Sequence, residues 1–192
     1  KRFTSKLLYF NKIEFALIKI SKIRTKLDYP DFYSRELGAY YYSKMAYIES
    51  LDEYILYLNY SSDKLGTIRE KLMTFPIDNQ IMSNIRKTLN NYNSRLCNII
   101  LAEYEFKWEN YDISYKLMID NYIDELEVFD FANDMILVSQ FYYAEKILNK
   151  LSLSNNAKIV EISIYQLANL LELKAQDDAL KLPISDNIIN NT

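Results

Sequence analysis

Apolar residues recur every three or four positions along nearly the whole chain. Leu8, Ile13, Ala16, Leu17, Ile20 and Ile23 form one stripe, and Lys12, Lys19, Lys22 and Lys26 gather on another face, the pattern of an amphipathic helix. Asp28-Tyr29-Pro30-Asp31 ends it, because Pro30 drives its predecessor out of the α region. The spacing then predicts a helix over 32–49, and Ser50 with Glu53 three residues later reads as a capping box opening the next. Asn59 to Asp63 is polar enough to interrupt that element, and 64–73 continues as a short helix. Pro76 and Asp78 mark a stop and a restart, after which the pattern runs helical to Glu109. Helices follow over 113–122, 126–138, 141–151 and 157–173. Gln176-Asp177-Asp178 predicts a turn into a last segment closed by Pro183, with a frayed tail beyond it. Tyr54 to Tyr60 has β propensity, but its flanks keep the 3.6-residue period, so the expected class is all-α, with nine or ten helices joined by short turns as antiparallel neighbours.

Small residues punctuate these stripes at a fixed interval. Leu37-Gly38, Leu101-Ala102, Phe131-Ala132 and Leu167-Ala168 each set a bulky residue before a small one. Ala102 and Ser114 are followed thirty residues on by Ala132 and Ala144. Tyr111 and Phe141 stand three residues before the second small residue, Met118 and Leu148 four after it. Two helices that cross closely need a residue too small to hold their axes apart, and stacked hairpins repeat that need once per unit.

On these residues the chain resembles the tetratricopeptide repeats, which place Leu and Gly or Ala on a first helix and Ala on a second, twelve residues after the first small residue. Leu37-Gly38 with Tyr41 matches the first-helix part, Ser50 takes the second-helix position, and Leu167-Ala168 followed by Ala179 stands one residue short. The spacing here is nearer thirty residues than thirty-four, and the repeat tryptophan is absent. The resemblance implies a degenerate superhelix of stacked hairpins, with an irregular α bundle as the alternative. It also implies a concave surface on the first helices that holds an extended peptide or a partner helix. Carried over, the groove-facing residues are Arg35 and Tyr42, Glu103 and Phe106, then Phe129, Asn133 and Ile136, then Tyr165, Asn169 and Glu172. Asn133 and Asn169 fall at equivalent places, where an amide can both donate to and accept from a peptide backbone. In these degenerate repeats and in the run Ile85-Arg86-Lys87-Thr88 to Asn98, the chain is also similar to the peptide-sensing C-terminal domain of bacterial and phage quorum-sensing transcriptional regulators. That likeness implies a peptide carboxylate at Arg95 and nucleic-acid binding only through a separate domain.

Composition narrows the chemistry. The 192 residues contain no histidine, two glycines and one cysteine, and no Gly-rich phosphate loop or nucleophile elbow appears. The expectation is therefore a protein that is not an enzyme and needs no cofactor or metal. Glu103, Glu105 and Glu109, or Asp120, Asp124, Glu125 and Glu127, could gather a cation, but such spacing on helices belongs to a wet face. Cys97 lies in an apolar run and reads as a small buried hydrophobe, consistent with a reducing, cytoplasmic setting. Eighteen tyrosines accompany abundant Ile, Asn and Lys, a bias that an AT-rich genome produces whatever the function. No apolar segment is long enough to span a bilayer.

The net charge of −3 conceals an uneven distribution. Lys1, Arg2, Lys6, Lys12, Lys19, Lys22, Arg24 and Lys26 face only Glu14 in the first 27 residues, whereas Glu103 to Glu145 is strongly acidic. This divides the sequence into a basic N-terminal helix and linker (1–30), a helical-repeat domain (31–183) and a tail (184–192). The expected partner is a short peptide or protein segment, with a homodimer as a further candidate and no membrane. The alternative function is a helical structural or assembly subunit that oligomerises or docks into a larger complex without a small ligand.

Overall fold

The computed structural model describes residues 2–76, 78–92 and 94–181. The expected stop at Pro183 and the tail 184–192 lie outside the described residues. What is described is all-α, 81% helical, and among the described residues there is no strand. Among the described residues are eleven α-helices: α1 (Arg2–Tyr9), α2 (Ile13–Lys26), α3 (Ser34–Ser43), α4 (Tyr47–Tyr60), α5 (Leu65–Met73), α6 (Asn79–Tyr92), α7 (Arg95–Lys107), α8 (Tyr111–Asn121), α9 (Glu125–Leu137), α10 (Phe141–Leu151) and α11 (Ala157–Lys181).

Four of the connections are one and the same turn. Asn11, Met45, Glu109 and Ser139 all take the left-handed conformation, with φ of 56°, 59°, 61° and 59°. In each, the N–H of that residue donates to the carbonyl three back, and the next N–H reaches five back: Met45 to Tyr42 and Ala46 to Tyr41, Ser139 to Ile136 and Gln140 to Met135. This is the Schellman motif, which satisfies the last carbonyls of one helix while reversing the chain. Five residues after each turn stands a fully buried small residue, Ala16, Ser50, Ser114 or Ala144. Seven before each turn stands Thr4, Gly38, Ala102 or Ala132, also buried. In α1/α2, α3/α4 and α9/α10, whose helices pair in space, the small-residue spacing thus marks a hairpin; the pairing of Thr4 with Ala16 escaped the sequence reading.

The turns also explain where helix boundaries were misplaced. The helix expected over 32–49 is cut at Met45, so Ser50 is not a cap; it lies within α4, and its hydroxyl donates to the Gly38 carbonyl at 2.8 Å. The stretch expected as one helix to Glu109 is two, α6 and α7. The turn expected at 176–178 is absent, since α11 runs on to Lys181. Asp78 does cap α6, accepting from the N–H groups of Gln80 and Ile81 at 2.9 and 3.0 Å.

The chain forms two compact units, Lys1–Tyr104 and Glu105–Thr192. In the first, α1 pairs with α2 and α3 with α4. Ile20 of α2 meets Phe32, Tyr33 and Leu37 in a core flanked by Leu8, Ile13, Leu17, Ile23 and Tyr41. Arg24 fastens the same hairpins. Its guanidinium makes a two-pronged ion pair with Glu53 (2.7 and 3.2 Å) and donates to the Phe32 carbonyl and the Ser34 hydroxyl. The third place in this stack is irregular: α5 buries bulky Ile68 and Leu72, its Gly66 faces open space, and α6 packs on α4. In the second unit α9 pairs with α10, α11 packs on both, and α8 meets α10. Polar links tie successive hairpins here too, Ser154 donating to Glu125 (2.7 Å) and Lys174 to Glu145 (2.5 Å).

Candidate functional site

The first unit carries three adjoining cavities along its first helices. One, of about 440 Å³, lies between α1 and α3, lined by Ser5, Leu8, Glu36, Ala39 and Tyr40 among others. The next, of about 530 Å³, lies between α3 and α5 and is lined by Arg35, Glu36, Ala39, Tyr54, Tyr57, Lys64, Thr67, Ile68 and Lys71. The third, of about 280 Å³, lies under the connector 27–33, lined by Tyr29, Asp31, Tyr33, Arg35, Glu36, Tyr57 and Ser61. Glu36 belongs to all three, so the cavities are subsites of one groove along α3.

The hairpin geometry dictates which side chains reach this groove. With Gly38 turned into the α3/α4 contact, helical periodicity places Arg35 and Ala39 together on the neighbouring face. On α1, Ser5 and Leu8 stand one and four residues after Thr4 and line the groove in the same way. The middle cavity is mostly apolar, with Tyr54, Tyr57 and Ile68 as its walls and Arg35, Lys64 and Lys71 as its cations. Burial raises the Tyr54 phenol above its ordinary value, the nearby Tyr42 adding to this and Arg35 opposing it, so it stays a neutral hydroxyl.

The other residues expected to bind fare unequally. Tyr42 is half-buried, stacked on Phe75 with ring centres 5.7 Å apart and edge-on to Tyr47. Glu103 is already engaged in an ion pair with Arg69, whose Nε donates to it at 2.6 Å. Arg95 is exposed at the first position of α7. In the second unit Phe106 packs edge-on against Tyr111 and Phe131, Phe129 is half-buried, and the Asn133 Oδ1 is buried without a hydrogen-bond partner. Tyr165 is exposed, and Asn169 donates to Gln166 at 3.2 Å. The assignment on α11 needs correcting: Ala168 is exposed, and the buried small residue of that helix is Ser163, flanked by buried Ile159 and Leu170. Asn169 is therefore not the counterpart of Asn133.

The residues that sequence reasoning missed, Asp31, Glu36, Ala39 and Tyr57, carry no motif of their own. Asp31 looked like an ordinary turn residue. The available signal was the repeat: once Thr4 and Ala16 are paired, Ser5, Leu8 and Ala39 follow. Cys97 is fully buried, and burial pushes its thiol pKa up, as a packing residue requires. Among the described residues no three His, Cys, Asp or Glu side chains gather as a metal site, and no helix is long and apolar enough to cross a membrane. No family model, curated protein or solved structure matches the chain.

Proposed function

We propose that this chain is a non-enzymatic binding domain that holds a short peptide, or an extended segment of a partner protein, in the groove along α3. The supporting observation is the coincidence of cavity and repeat register. Of the residues that the tetratricopeptide resemblance gives as groove-facing, Arg35 lines the cavities, beside Ala39 one residue after Gly38 and Ser5 and Leu8 one and four residues after Thr4, whereas Tyr42 packs on Phe75 instead. Apolar walls with a few charged groups at the rim suit a ligand fixed by its backbone and termini. The ligand-sensing part of a transcriptional regulator is the role this reading favours, in a reducing, cytoplasmic setting, with any contact to nucleic acid made by another domain.

The test is thermal unfolding at fixed protein concentration with a pooled random pentapeptide library. Binding to the folded state alone raises the midpoint, by the equivalent of about 2.7 kcal/mol at a hundredfold excess over Kd. Ala39→Trp, which fills the groove from an exposed position, should remove that rise and leave the unliganded midpoint within about 0.5 kcal/mol of wild type. A midpoint indifferent to peptide overturns the reading.

A second reading, a self-associating assembly subunit, has its own observation. Phe3, Phe10, Phe15, Ile18 and Leu27 on and around α1 and α2 are all more than half exposed. It predicts a midpoint that rises with protein concentration instead.

A further inference from the structure

We infer that the cavity under the connector 27–33 receives a cationic group of the bound peptide, its N-terminal amine or a basic side chain, against the carboxylate of Asp31. The inference rests on the groove reading and names what one end of the ligand must carry. Asp31 is only 6% exposed, it lines the cavity, and its Oδ1 has no hydrogen-bond partner. A carboxylate withdrawn from water is tolerated when it is paired, so an orphaned one beside an open cavity leaves an ammonium or guanidinium as its natural complement.

The surroundings fit a cation. Tyr29, Tyr33 and Tyr57 line the cavity with aromatic surface, on whose faces a cation is attracted by the ring quadrupole. Two carboxylates, Asp31 and Glu36, stand against one guanidinium, Arg35, among the lining residues. Of the other cations close by, Arg24 already spends its donors on Glu53, Phe32 and Ser34, and Lys64 is paired with Asp63. The placement of Asp31 is also built rather than incidental. The chain leaves α2 through Asp28 at φ 46° and enters α3 through Tyr33 at φ 70°, two left-handed residues that bracket a connector whose Asp31 and Phe32 are buried. Tyr33 is then held to α1 by a hydrogen bond between its hydroxyl and that of Ser5. In the adjoining cavity Arg35 and Lys71 provide cations for the opposite, carboxylate end of a short peptide.

Pentapeptides retained from the random library by the wild-type chain are sequenced, then resynthesised with an acetylated N-terminus, with Lys replaced by norleucine, or with Arg replaced by citrulline. The expected result is that one of these neutralisations weakens binding by at least about tenfold, and which one does so identifies the amine or the side chain as the source. Asp31→Asn should abolish that discrimination while binding the neutralised peptide as well as wild type does. Wild-type discrimination alone decides the matter if the variant fails to fold. Retained peptides that tolerate all three neutralisations overturn this inference and leave the groove reading standing. Failure to retain any peptide overturns both.

Discussion

The two units repeat the same hairpin at different intervals, and the difference is confined to one connector. From Asn11 to Met45 the turns are 34 residues apart, from Glu109 to Ser139 they are 30. The helices between them are equally long in sum: α2 and α3 have 14 and 10 residues, α8 and α9 have 11 and 13. The extra four residues lie between the hairpins, where 27–33 joins α2 to α3 and only 122–124 joins α8 to α9. That longer connector brings Tyr29, Asp31 and Tyr33 to the edge of the groove. In the second unit the corresponding link is spent entirely on capping, the Asp124 side chain accepting from the Leu126 N–H at 3.1 Å. The same hairpin recurs in both units, and insertion outside it lines a cavity in one.

The sharpest way to break the comparison is at the small residue of each hairpin. A Cβ on Gly38 would lie 2.6 Å from the Tyr54 ring, which is itself buried. The corresponding positions of the second unit, by distance from the turn, hold Ala132 and Leu148, both buried. Gly38→Ala should therefore cost about 2–3 kcal/mol by overpacking, despite the better helix propensity of alanine. Adding Tyr54→Leu, which imitates the second unit, should recover at least about 1 kcal/mol of that loss. Gly66→Ala is the control, since nothing lies within 4 Å of the added methyl, and it should stabilise by roughly 0.5–1 kcal/mol. Urea unfolding of the three variants measures all of this; a harmless Gly38→Ala would refute close packing as the reason for the glycine.

A smaller effect separates the two ways in which hairpins are tied together. Arg24 and Glu53 are 20% and 15% exposed and doubly hydrogen-bonded, whereas Lys174 and Glu145 are 35% and 36% exposed and singly bonded. Arg24→Ala leaves Glu53 partly buried without its partner and frees the Phe32 carbonyl and Ser34 hydroxyl, a loss of about 2 kcal/mol. Lys174→Ala should cost less than about 0.5 kcal/mol, and 1 M salt should erase it while hardly changing the Arg24 value. Equal losses in urea unfolding would show that both pairs act as surface contacts.

The legible and the illegible parts of this fold divide along similar lines. Hairpin spacing was visible at Gly38, Ala132 and Ala144, because contact between helices restricts side-chain volume and volume is written in the residue type. The breaks after Glu109 and Val138 were placed from the helical spacing, but the turn at Met45 was not, because methionine is unfavourable in the left-handed region and nothing local announces it; hence the boundary between α3 and α4 was set late, with Ser50 read as a cap. The misplaced repeat on α11 has the same origin, since Leu167-Ala168 fits the bulky-small pattern and only tertiary contact reveals that Ser163 is the buried one. Of the candidate site, Arg35 was found through the repeat, while Asp31 was not, because a connector has no period to betray which way its side chains face.

The left-handed turns give the smallest and most discriminating prediction. A non-glycine residue in the left-handed region costs roughly 1–2 kcal/mol through its Cβ, and glycine removes that cost while adding entropy to the unfolded chain. Met45, Glu109 and Ser139 are exposed, so no packing is lost on substitution. Met45→Gly, Glu109→Gly and Ser139→Gly should each stabilise by about 0.5–1 kcal/mol. Asn11→Gly should gain less, since asparagine tolerates the conformation and its side-chain oxygen accepts from the Tyr40 hydroxyl at 2.8 Å, a bond the glycine forfeits. The order of the four gains matters more than their size. If the turns are equivalent structural punctuation, the two units respond alike at Met45 and at Ser139, and Asn11 stands apart only through its bond to α3. A destabilising Met45→Gly beside a stabilising Ser139→Gly would mean that the first unit depends on its turns in a way the second does not, and the resemblance between their hairpins would be one of spacing alone.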